Sequence, residues 1–298
     1  MKSFDPKEVA FAVITHYPKW YAGGLRSIKN TDKIRGDLAI EFIQKAIKGG
    51  YQIVVVDGES TKTFKAEINR FLPKTLINRR VKKRAPSKRQ AIKLCAKLPG
   101  VKAIIMTEPE KISLITDCLP QIVKPIFEEN ADIVIPKRQD RLFKHTYPSY
   151  MYESEIEGNN LYNEHVKLAG LLPKHLEEMD SFFGPRVIKN DSKVLRLFML
   201  QYKLQVGNHT IYEHLFSPEE YSNVQFFPIV QALRKKMRVV SIEVPFAYPS
   251  LQKENENIGE RELFIQKRKN QKLSVLLDLM HFLTYFEDRK KSRLRILR

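Results

Sequence analysis

The chain has 298 residues, 43% of them hydrophobic, and its 52 lysines and arginines outnumber 34 aspartates and glutamates, for a formal net charge of +18. The length suggests one large domain or two small ones with a sizeable core, and no run of about 18 apolar residues indicates a transmembrane helix. A field of this sign attracts polyanions, phosphorylated small molecules and anionic membranes, so charge alone does not choose among them.

Apolar strands alternate with helices over the first half of the chain. The predicted strands are Val9–Ile14, "YQIVVVDGES", the weaker "TLINRR", "VKAIIM" and "ADIVIPKR". The predicted helices run from an N-cap at Asp32 to Lys48, from Thr61 to Leu72, from an N-cap at Ser87 to Pro99, and from Ile112 to Asn130 with breaks near Pro120 and Pro125. Because the strands are apolar throughout, this order predicts an α/β fold with a mainly parallel central sheet and helices on both faces.

The second half has a less regular pattern. Helices are predicted over Ser149–Leu172, Ser192–Leu204, Ser222–Met237 and Leu263–Asp288, with strands in "DSFFGPRVI" and "VVSIEVPFAY". Arg141–Tyr150 is the best candidate junction, although no linker cuts the chain there. We therefore expect residues 1–140 and 141–298 to be two halves of one continuous domain with a helical C-terminal extension.

The N-terminal and cysteine patterns favour an intracellular protein. The first 20 residues include Asp, Glu and Lys and lack a continuous apolar segment, so no secretory signal peptide is predicted. Cys95 and Cys118 lie in apolar, helix-like contexts, which favours buried free thiols over a disulfide or a metal pair. A reducing, cytoplasmic location is expected.

Candidate functional residues follow three of the predicted strands, which end at Thr15, at Asp57-Gly58 and at Glu108-Pro109-Glu110. In parallel sheets, ligands bind at the carboxyl ends of the strands. Asp57 could accept hydrogen bonds from a nucleobase or ribose, or could cap the turn into the next helix, and both interpretations stay open.

The "EPE" turn carries two carboxylates one residue apart. In extended backbone both side chains point the same way, so Glu108 and Glu110 could face one Mg²⁺ or Mn²⁺ ion. The alternative is that Glu108 is merely exposed and that Glu110 lies in the first turn of a helix, where the helix dipole stabilises its negative charge. A basic segment lies upstream, which is either an anion site at a helix N-terminus or a solvated basic face; it contains Arg79, Arg80, Lys82, Lys83, Arg84, Lys88 and Arg89.

Several common signatures are missing. The chain has no G-x-x-x-x-G-K-[ST] loop, no G-x-G-x-x-G after the first strand and no G-x-S-x-G elbow. No Cys/His set has zinc spacing, and His209 and His214, five residues apart, do not share a helix face. P-loop, dinucleotide and serine-hydrolase chemistry are therefore not predicted.

The element order, the acid after strand two, the basic segment and the "EPE" turn together resemble the GT-A glycosyltransferases, which are nucleotide-diphospho-sugar transferases. The resemblance covers residues 8–255, with "EPE" in the place of that family's D-x-D motif. It implies transfer of a sugar from a UDP- or GDP-sugar to an acceptor hydroxyl, assisted by Mn²⁺ or Mg²⁺.

The resemblance also implies roles for individual residues. Glu108 and Glu110 would hold the metal, Asp180 would meet the acceptor hydroxyl, and Gly184 would allow close backbone approach. The donor would contact Thr15, Asp57, Arg79, Lys88, Arg89, Tyr248, Gln252 and Lys253. Two features depart from the family pattern: glutamates replace both aspartates, and "PFAYPSLQ" lacks a late histidine ligand.

Two other interpretations remain. Sugar-nucleotide pyrophosphorylases share the fold and have a glycine-rich loop after strand one, faintly matched by "AGGLRSIKNTDK", although "THYPKWY" intervenes here. A non-catalytic basic protein that binds nucleic acid or membranes would also fit the charge, but the basic positions form no single face and the aromatic residues no stacking ladder. We expect no specific nucleic-acid partner, while an anionic acceptor or a peripheral membrane contact remains open.

Overall fold

The computed structural model describes residues 4–72, 75–80, 83–176, 178–200, 224–259 and 261–287. Its strands are β1 (Val9–Thr15), β2 (Gln52–Asp57), β3 (Leu76–Asn78), β4 (Ala103–Thr107), β5 (Ile133–Arg138), β6 (Arg186–Lys189) and β7 (Val239–Val244). They form a seven-stranded sheet in the order β3-β2-β1-β4-β6-β5-β7. The mainly parallel sheet predicted from the apolar runs is confirmed.

Helices connect and cover the strands. They are α1 (Thr31–Lys48), α2 (Lys62–Asn69), α3 (Arg84–Cys95), α4 (Leu119–Glu128), α5 (Asp140–Thr146), α6 (Ser149–Leu168), α7 (Ser192–Met199), α8 (Phe227–Arg234), α9 (Ser250–Ile258) and α10 (Arg261–Glu287). Short 3₁₀ turns cover Pro6–Glu8 and Ser181–Phe183, and a π turn covers Leu114–Cys118. Within the described ranges, no helix combines the length and apolar character needed to cross a membrane.

One strand breaks the parallel pattern. β6 runs antiparallel to both β4 and β5, whereas the other neighbouring pairs are parallel. After β5 the chain passes through α5 and α6 and re-enters the sheet at the edge where β5 ended, so β6 must run back. The carboxyl ends of six strands and the start of β6 therefore meet at one edge.

The core is divided by the sheet. In β1, Ala10 and Ala12 belong to one buried cluster, whereas Phe11 and Val13 belong to a second one. Because successive side chains of a strand point to opposite faces, this alternation means that helices pack through apolar side chains against both faces of the sheet. A strand buried on both faces is apolar throughout, which is why the sequence located β1 correctly.

Two predicted helix starts were wrong. The Asn30 side chain, and not Asp32, caps α1 by accepting a hydrogen bond from the Lys33 backbone N–H at 2.9 Å. Ser87, the predicted cap of α3, lies inside that helix, and its hydroxyl donates to the Lys83 carbonyl at 2.9 Å. A serine can bond back to the preceding turn as readily as it can cap a helix, so its presence did not fix the boundary.

The helix predicted over Ile112–Asn130 is shorter in the structure, and a π turn takes the place of its first part. The π turn precedes α4, Pro120 lies in the first turn of α4 where its missing N–H is tolerated, and α4 continues through Pro125. The helices predicted over Ser192–Leu204 and Ser222–Met237 appear as α7 and α8, and residues 201–223, with His209 and His214, lie outside the described residues.

Strands from both sides of residue 140 enter the sheet, and the division into two halves there stays a prediction.

The cysteine prediction is confirmed. Cys95 and Cys118 are buried and free, and the Cys95 thiol lies 3.4 Å from the Phe11 carbonyl oxygen. Burial raises the pKa of both thiols to about 12, so both stay protonated and unreactive near neutral pH.

Candidate active site

A cavity of about 640 Å³ opens at the edge where the parallel strands end. Many charged side chains line its wall, and among the described residues eight of them are basic and four are acidic. The basic ones are Arg35, Arg79, Arg84, Lys88, Lys111, Arg138, Lys267 and Arg268, and the acidic ones are Asp32, Glu108, Glu110 and Glu155. Such an excess of positive charge in a concave site favours an anionic ligand.

The sheet order explains why the cavity forms there. β1 has β2 on one side and β4 on the other, so the chain reverses its winding direction between β1 and β4. The loops after these two strands diverge and leave a crevice, where open α/β sheets bind their ligands. His16 and Tyr17 follow β1, and Glu108 and Glu110 follow β4, and all four line the cavity.

Glu108 has two cationic partners, and these three residues are called the Glu108 cluster. Lys88 Nζ, from α3, lies 3.1 Å from Glu108 Oε1, and Lys111 Nζ lies 3.4 Å from Glu108 Oε2. Burial would raise the pKa of Glu108, but the two ammonium groups outweigh it and hold the pKa well below its ordinary value. Glu108 is therefore an anion that two cations already neutralise.

Gly184 covers the other side of this carboxylate. Its backbone has φ +96°, and a Cβ atom there would lie 3.1 Å from Glu108 Oε2 and 3.1 Å from Gln225 Nε2. Oε2 is buried and accepts no hydrogen bond. Glycine is therefore required twice, for the left-handed backbone and for the close approach to Glu108. The predicted close approach at Gly184 is thus to a side chain of the same protein.

Glu110 has a separate partner. The Tyr17 hydroxyl donates a hydrogen bond to Glu110 Oε1 at 2.9 Å. Burial raises the pKa of Tyr17 well above its ordinary value, and the negative charge of Glu110 raises it further. The phenol therefore stays protonated and serves as a fixed donor to this carboxylate.

The "EPE" carboxylates do not fit a divalent cation as they are arranged. No group of three His, Cys, Asp or Glu side chains among the described residues could hold a metal by itself. Mg²⁺ is commonly held by one or two carboxylates together with substrate phosphates, so its fit here depends on whether Glu108 and Glu110 are open to the same ion. Glu108 pairs with Lys88 and Lys111, and Oε1 of Glu110 accepts the Tyr17 hydroxyl. The expectation that both acids face one ion therefore lacks the geometry it needs.

Asp57 organises the loop after β2. Its carboxylate accepts hydrogen bonds from the Thr15 hydroxyl at 2.9 Å and from the backbone N–H groups of Glu59 and Ser60, both at 3.0 Å. Lys65 adds an ion pair at 3.1 Å. Both oxygens are thereby engaged in contacts that agree with the turn interpretation, and contact of Asp57 with a nucleobase or ribose stays a prediction. Thr15 itself lines the cavity.

The basic segment divides between the cavity and the core. Arg79, which follows β3, lines the cavity and pairs with Glu59 at 3.1 Å. Lys88 also lines it, whereas Arg89 is buried and lies outside the lining. Consecutive residues of a helix point in directions about 100° apart, and here Lys88 faces the cavity whereas Arg89 does not.

The late segment surrounds Glu256, a residue that the sequence did not indicate. Glu256 is fully buried, and its Oε1 accepts hydrogen bonds from Arg35 at 2.7 Å, Tyr248 at 2.9 Å and Gln252 at 3.2 Å. Tyr248 and Gln252 line the cavity as expected for donor contacts. Lys253 does not, because its ammonium donates to the His145 carbonyl at 2.7 Å.

Asp180 is one of four charged residues that are linked by ion pairs and are called the Arg138 network. The other three are Arg138, Glu155 and Arg268. Arg138 donates to both oxygens of Asp180, at 2.7 and 2.8 Å, and to Glu155 at 2.7 Å, while Arg268 pairs with Glu155 at 3.3 Å. Asn159 also donates to Asp180 at 2.8 Å.

The predicted role of Asp180 does not fit this arrangement. Asp180 is 5% exposed and lies outside the cavity lining. Burial would raise its pKa, but Arg138 reverses the effect and lowers it, so the carboxylate is a weak base. Glu155 is the acid of this network that lines the cavity, and its mid-helix position in α6 gave no sequence signal.

The solved structures that resemble the chain include nucleotide-diphospho-sugar transferases. Glucosyl-3-phosphoglycerate synthase from Mycobacterium tuberculosis, in complex with Mn²⁺, UDP-glucose and phosphoglyceric acid, matches with TM-score 0.52 and 10% identity over 93% of this chain and 80% of that one. The same enzyme with Mg²⁺ and UDP matches with TM-score 0.51 and 10% identity, over 92% and 78%. The chain has a GT-A-like fold.

A mannosyltransferase from Pyrobaculum calidifontis, in complex with GDP-mannose and Mn²⁺, matches with TM-score 0.48 and 13% identity over 97% of this chain and 67% of that one. No protein-family model matches the sequence, and no curated protein is significantly similar to it. At these identities the likeness concerns the fold, and function has to be argued from the cavity.

Proposed function

We propose that the cavity binds a nucleotide-diphospho-sugar and that the chain transfers the sugar to an acceptor hydroxyl. The observation that carries the proposal is the surplus of basic side chains at the crevice between β1 and β4. A diphosphate carries several negative charges within a small volume, which matches this surplus. The proposal includes UDP- and GDP-sugars as donors.

The chemistry asked of the site is displacement at the anomeric carbon. The bond between that carbon and the β-phosphate oxygen breaks, and its electron pair stays on the nucleoside diphosphate. The acceptor oxygen forms the new bond, and its proton passes to solvent. Negative charge grows on the leaving diphosphate, so fixed positive groups in the cavity stabilise the transition state more than the ground state.

Positioning of the donor would come from several elements. Arg79 and Lys88, which line the cavity, would meet the phosphates, and Tyr248 and Gln252, which also line it, would supply further donor contacts. Thr15 holds the turn through Asp57 and so orients Gly58, which lines the cavity. The Arg138 network would keep the acceptor side of the cavity rigid.

The experiment is a ligand screen followed by product analysis. UDP-glucose, GDP-mannose, UDP, GDP and free uridine are titrated while the melting temperature is followed, with and without Mn²⁺. A nucleoside diphosphate or its sugar should stabilise the protein, whereas uridine should not. Release of a nucleoside diphosphate supports transfer, and release of pyrophosphate from a sugar phosphate and nucleoside triphosphate would instead indicate the pyrophosphorylase interpretation. The absence of any nucleotide response, with or without metal, would refute the proposal.

A further inference from the structure

Two lysines occupy the place where the resemblance predicted a metal ion. Lys88 and Lys111 line the cavity, their side chains are 11% and 17% exposed, and their ammonium groups flank the carboxylate of Glu108 from two elements. Lys111 Nζ also lies 5.7 Å from the centre of the Phe183 ring, which fixes it further. These are ordered cations and not freely solvated surface lysines.

A divalent cation bound by Glu108 would meet strong repulsion there. Mg²⁺ sits about 2.1 Å from its oxygen ligands, so an ion on Oε1 would lie within about 5 Å of the Lys88 ammonium, which is 3.1 Å from that oxygen. On Oε2 it would meet Lys111 at similar range, and that oxygen is already buried against Gly184. The Glu108 carboxylate is thus paired with two ammonium groups that would repel a divalent cation.

Glu110 gives no replacement ligand set. Its Oε1 accepts the Tyr17 hydroxyl, and the positive charge of Arg35 acts on the same carboxylate. A cation held by Glu110 would therefore share that carboxylate with the Tyr17 hydroxyl and would be opposed by the positive charge of Arg35. Within the chain, Glu108 pairs with two cations and Glu110 accepts one hydrogen bond.

We propose that Lys88 and Lys111 neutralise the donor diphosphate in place of a divalent cation, so that donor binding and transfer are independent of metal. The inference rests on the proposed function and concerns the same cavity. Glu108 pairs with both ammonium groups and offsets part of the charge that they offer to the diphosphate. Their combined charge exceeds that of Glu108 by one, and the rest of the cavity wall adds more.

The first test compares binding of UDP and GDP by calorimetry in EDTA and in Mn²⁺. The proposal expects affinities in the two buffers that agree within about threefold. Binding that needs Mn²⁺ and weakens by more than about tenfold in EDTA would overturn the metal-independent inference and leave the nucleotide-sugar proposal standing. The absence of binding in both buffers would overturn both.

Substitution of the lysines assigns the effect to them. In EDTA, Lys88→Met and Lys111→Met should each weaken UDP or GDP binding by about tenfold, because each removes a desolvated charge facing the diphosphate. Lys111→Arg should retain most of the affinity, and Lys124→Met, on the outer face of α4, should change nothing. Equal affinity of Lys111→Met and the unsubstituted protein would refute the role of Lys111.

Glu108→Gln has different expected effects on nucleotide binding if the lysines neutralise the diphosphate and if Glu108 binds a metal. If the lysines replace the metal, losing their carboxylate leaves both ammonium groups available, so UDP and GDP binding in EDTA should be retained or tightened. If Glu108 is a metal ligand, the same change should abolish a Mn²⁺-dependent gain in affinity. Circular dichroism and the melting temperature confirm that each variant is folded before binding is compared.

Discussion

The Glu108 cluster and the Arg138 network meet the same cavity and differ in the balance of their charges. The Glu108 cluster has two basic groups and one acid, and Glu108 is 33% exposed. The Arg138 network has two basic groups and two acids, with Arg138 only 1% exposed. A surplus of charge next to a cavity can serve a ligand, whereas a balanced and buried set serves the fold. The acids of these two regions are thus told apart by their partners and not by residue type.

The largest expected effect is in the Arg138 network. Asp180→Ala should destabilise the protein by about 3–5 kcal/mol, because it leaves the buried Arg138 guanidinium without its bidentate partner. Urea denaturation measures this loss. The control is Glu178→Ala, which breaks an exposed ion pair with Lys137 and should cost about 0–1 kcal/mol. Near-normal stability of Asp180→Ala with abolished transfer would restore the catalytic role predicted from the sequence.

The next effect concerns the backbone beside the Glu108 cluster. Gly184→Ala should cost more than the about 1–2 kcal/mol of a left-handed alanine, because its methyl group would also lie 3.1 Å from Glu108 Oε2. Gly170→Ala is the matched control, since Gly170 has φ +66° and open space around it. The difference between the two free energies of unfolding measures the contacts with Glu108 Oε2 and Gln225 Nε2 together. Equal costs would mean that both side chains move aside easily.

A smaller effect should appear in the pH dependence of stability. The pKa of Glu108 is lowered in the folded protein, so below its ordinary value the unfolded chain binds more protons than the folded one. The ionised Glu108 therefore stabilises the folded protein fully above the ordinary glutamate pKa of about 4.3. This stabilisation is lost as the pH falls toward the folded value. Between about pH 5 and pH 3 the free energy of unfolding should therefore decrease less steeply in Glu108→Gln. Identical slopes would show that the ammonium groups of Lys88 and Lys111 do not lower the pKa of Glu108 in the folded protein.

The sequence predicted those features that depend on nearby residues. Strands such as β1 and β4 are buried on both faces, so their apolar runs revealed them without any knowledge of their neighbours. The same runs placed Thr15, Asp57 and the "EPE" turn at one edge, and the cavity lies there. The reversed direction of β6 had no local signal, because only the route of the chain through α5 and α6 determines it.

The partners of the site residues could not be read in this way. The contact between Tyr17 and Glu110 joins residues 93 positions apart, and that between Arg35 and Glu256 joins residues 221 apart. A pattern of residue types shows that an acid is present, but not whether a metal, a lysine or a phenol satisfies it. The metal assignment came from the spacing of the two acids and the family resemblance, and the role of Asp180 came from that resemblance. Both depended on contacts that only the fold supplies.

The smallest expected effect tests a predicted donor contact that lies away from both charge clusters. Lys253→Ala removes an exposed hydrogen bond to the His145 carbonyl and should change stability by less than about 1 kcal/mol. Nucleotide binding should also be unchanged, because Lys253 does not line the cavity, whereas Gln252 one residue earlier does. Calorimetry with UDP and GDP on Lys253→Ala and Gln252→Ala compares the two directly. A loss of affinity confined to Lys253→Ala would mean that α9 turns when the donor binds. The donor contact predicted for Lys253 from the sequence would then be correct for the bound protein.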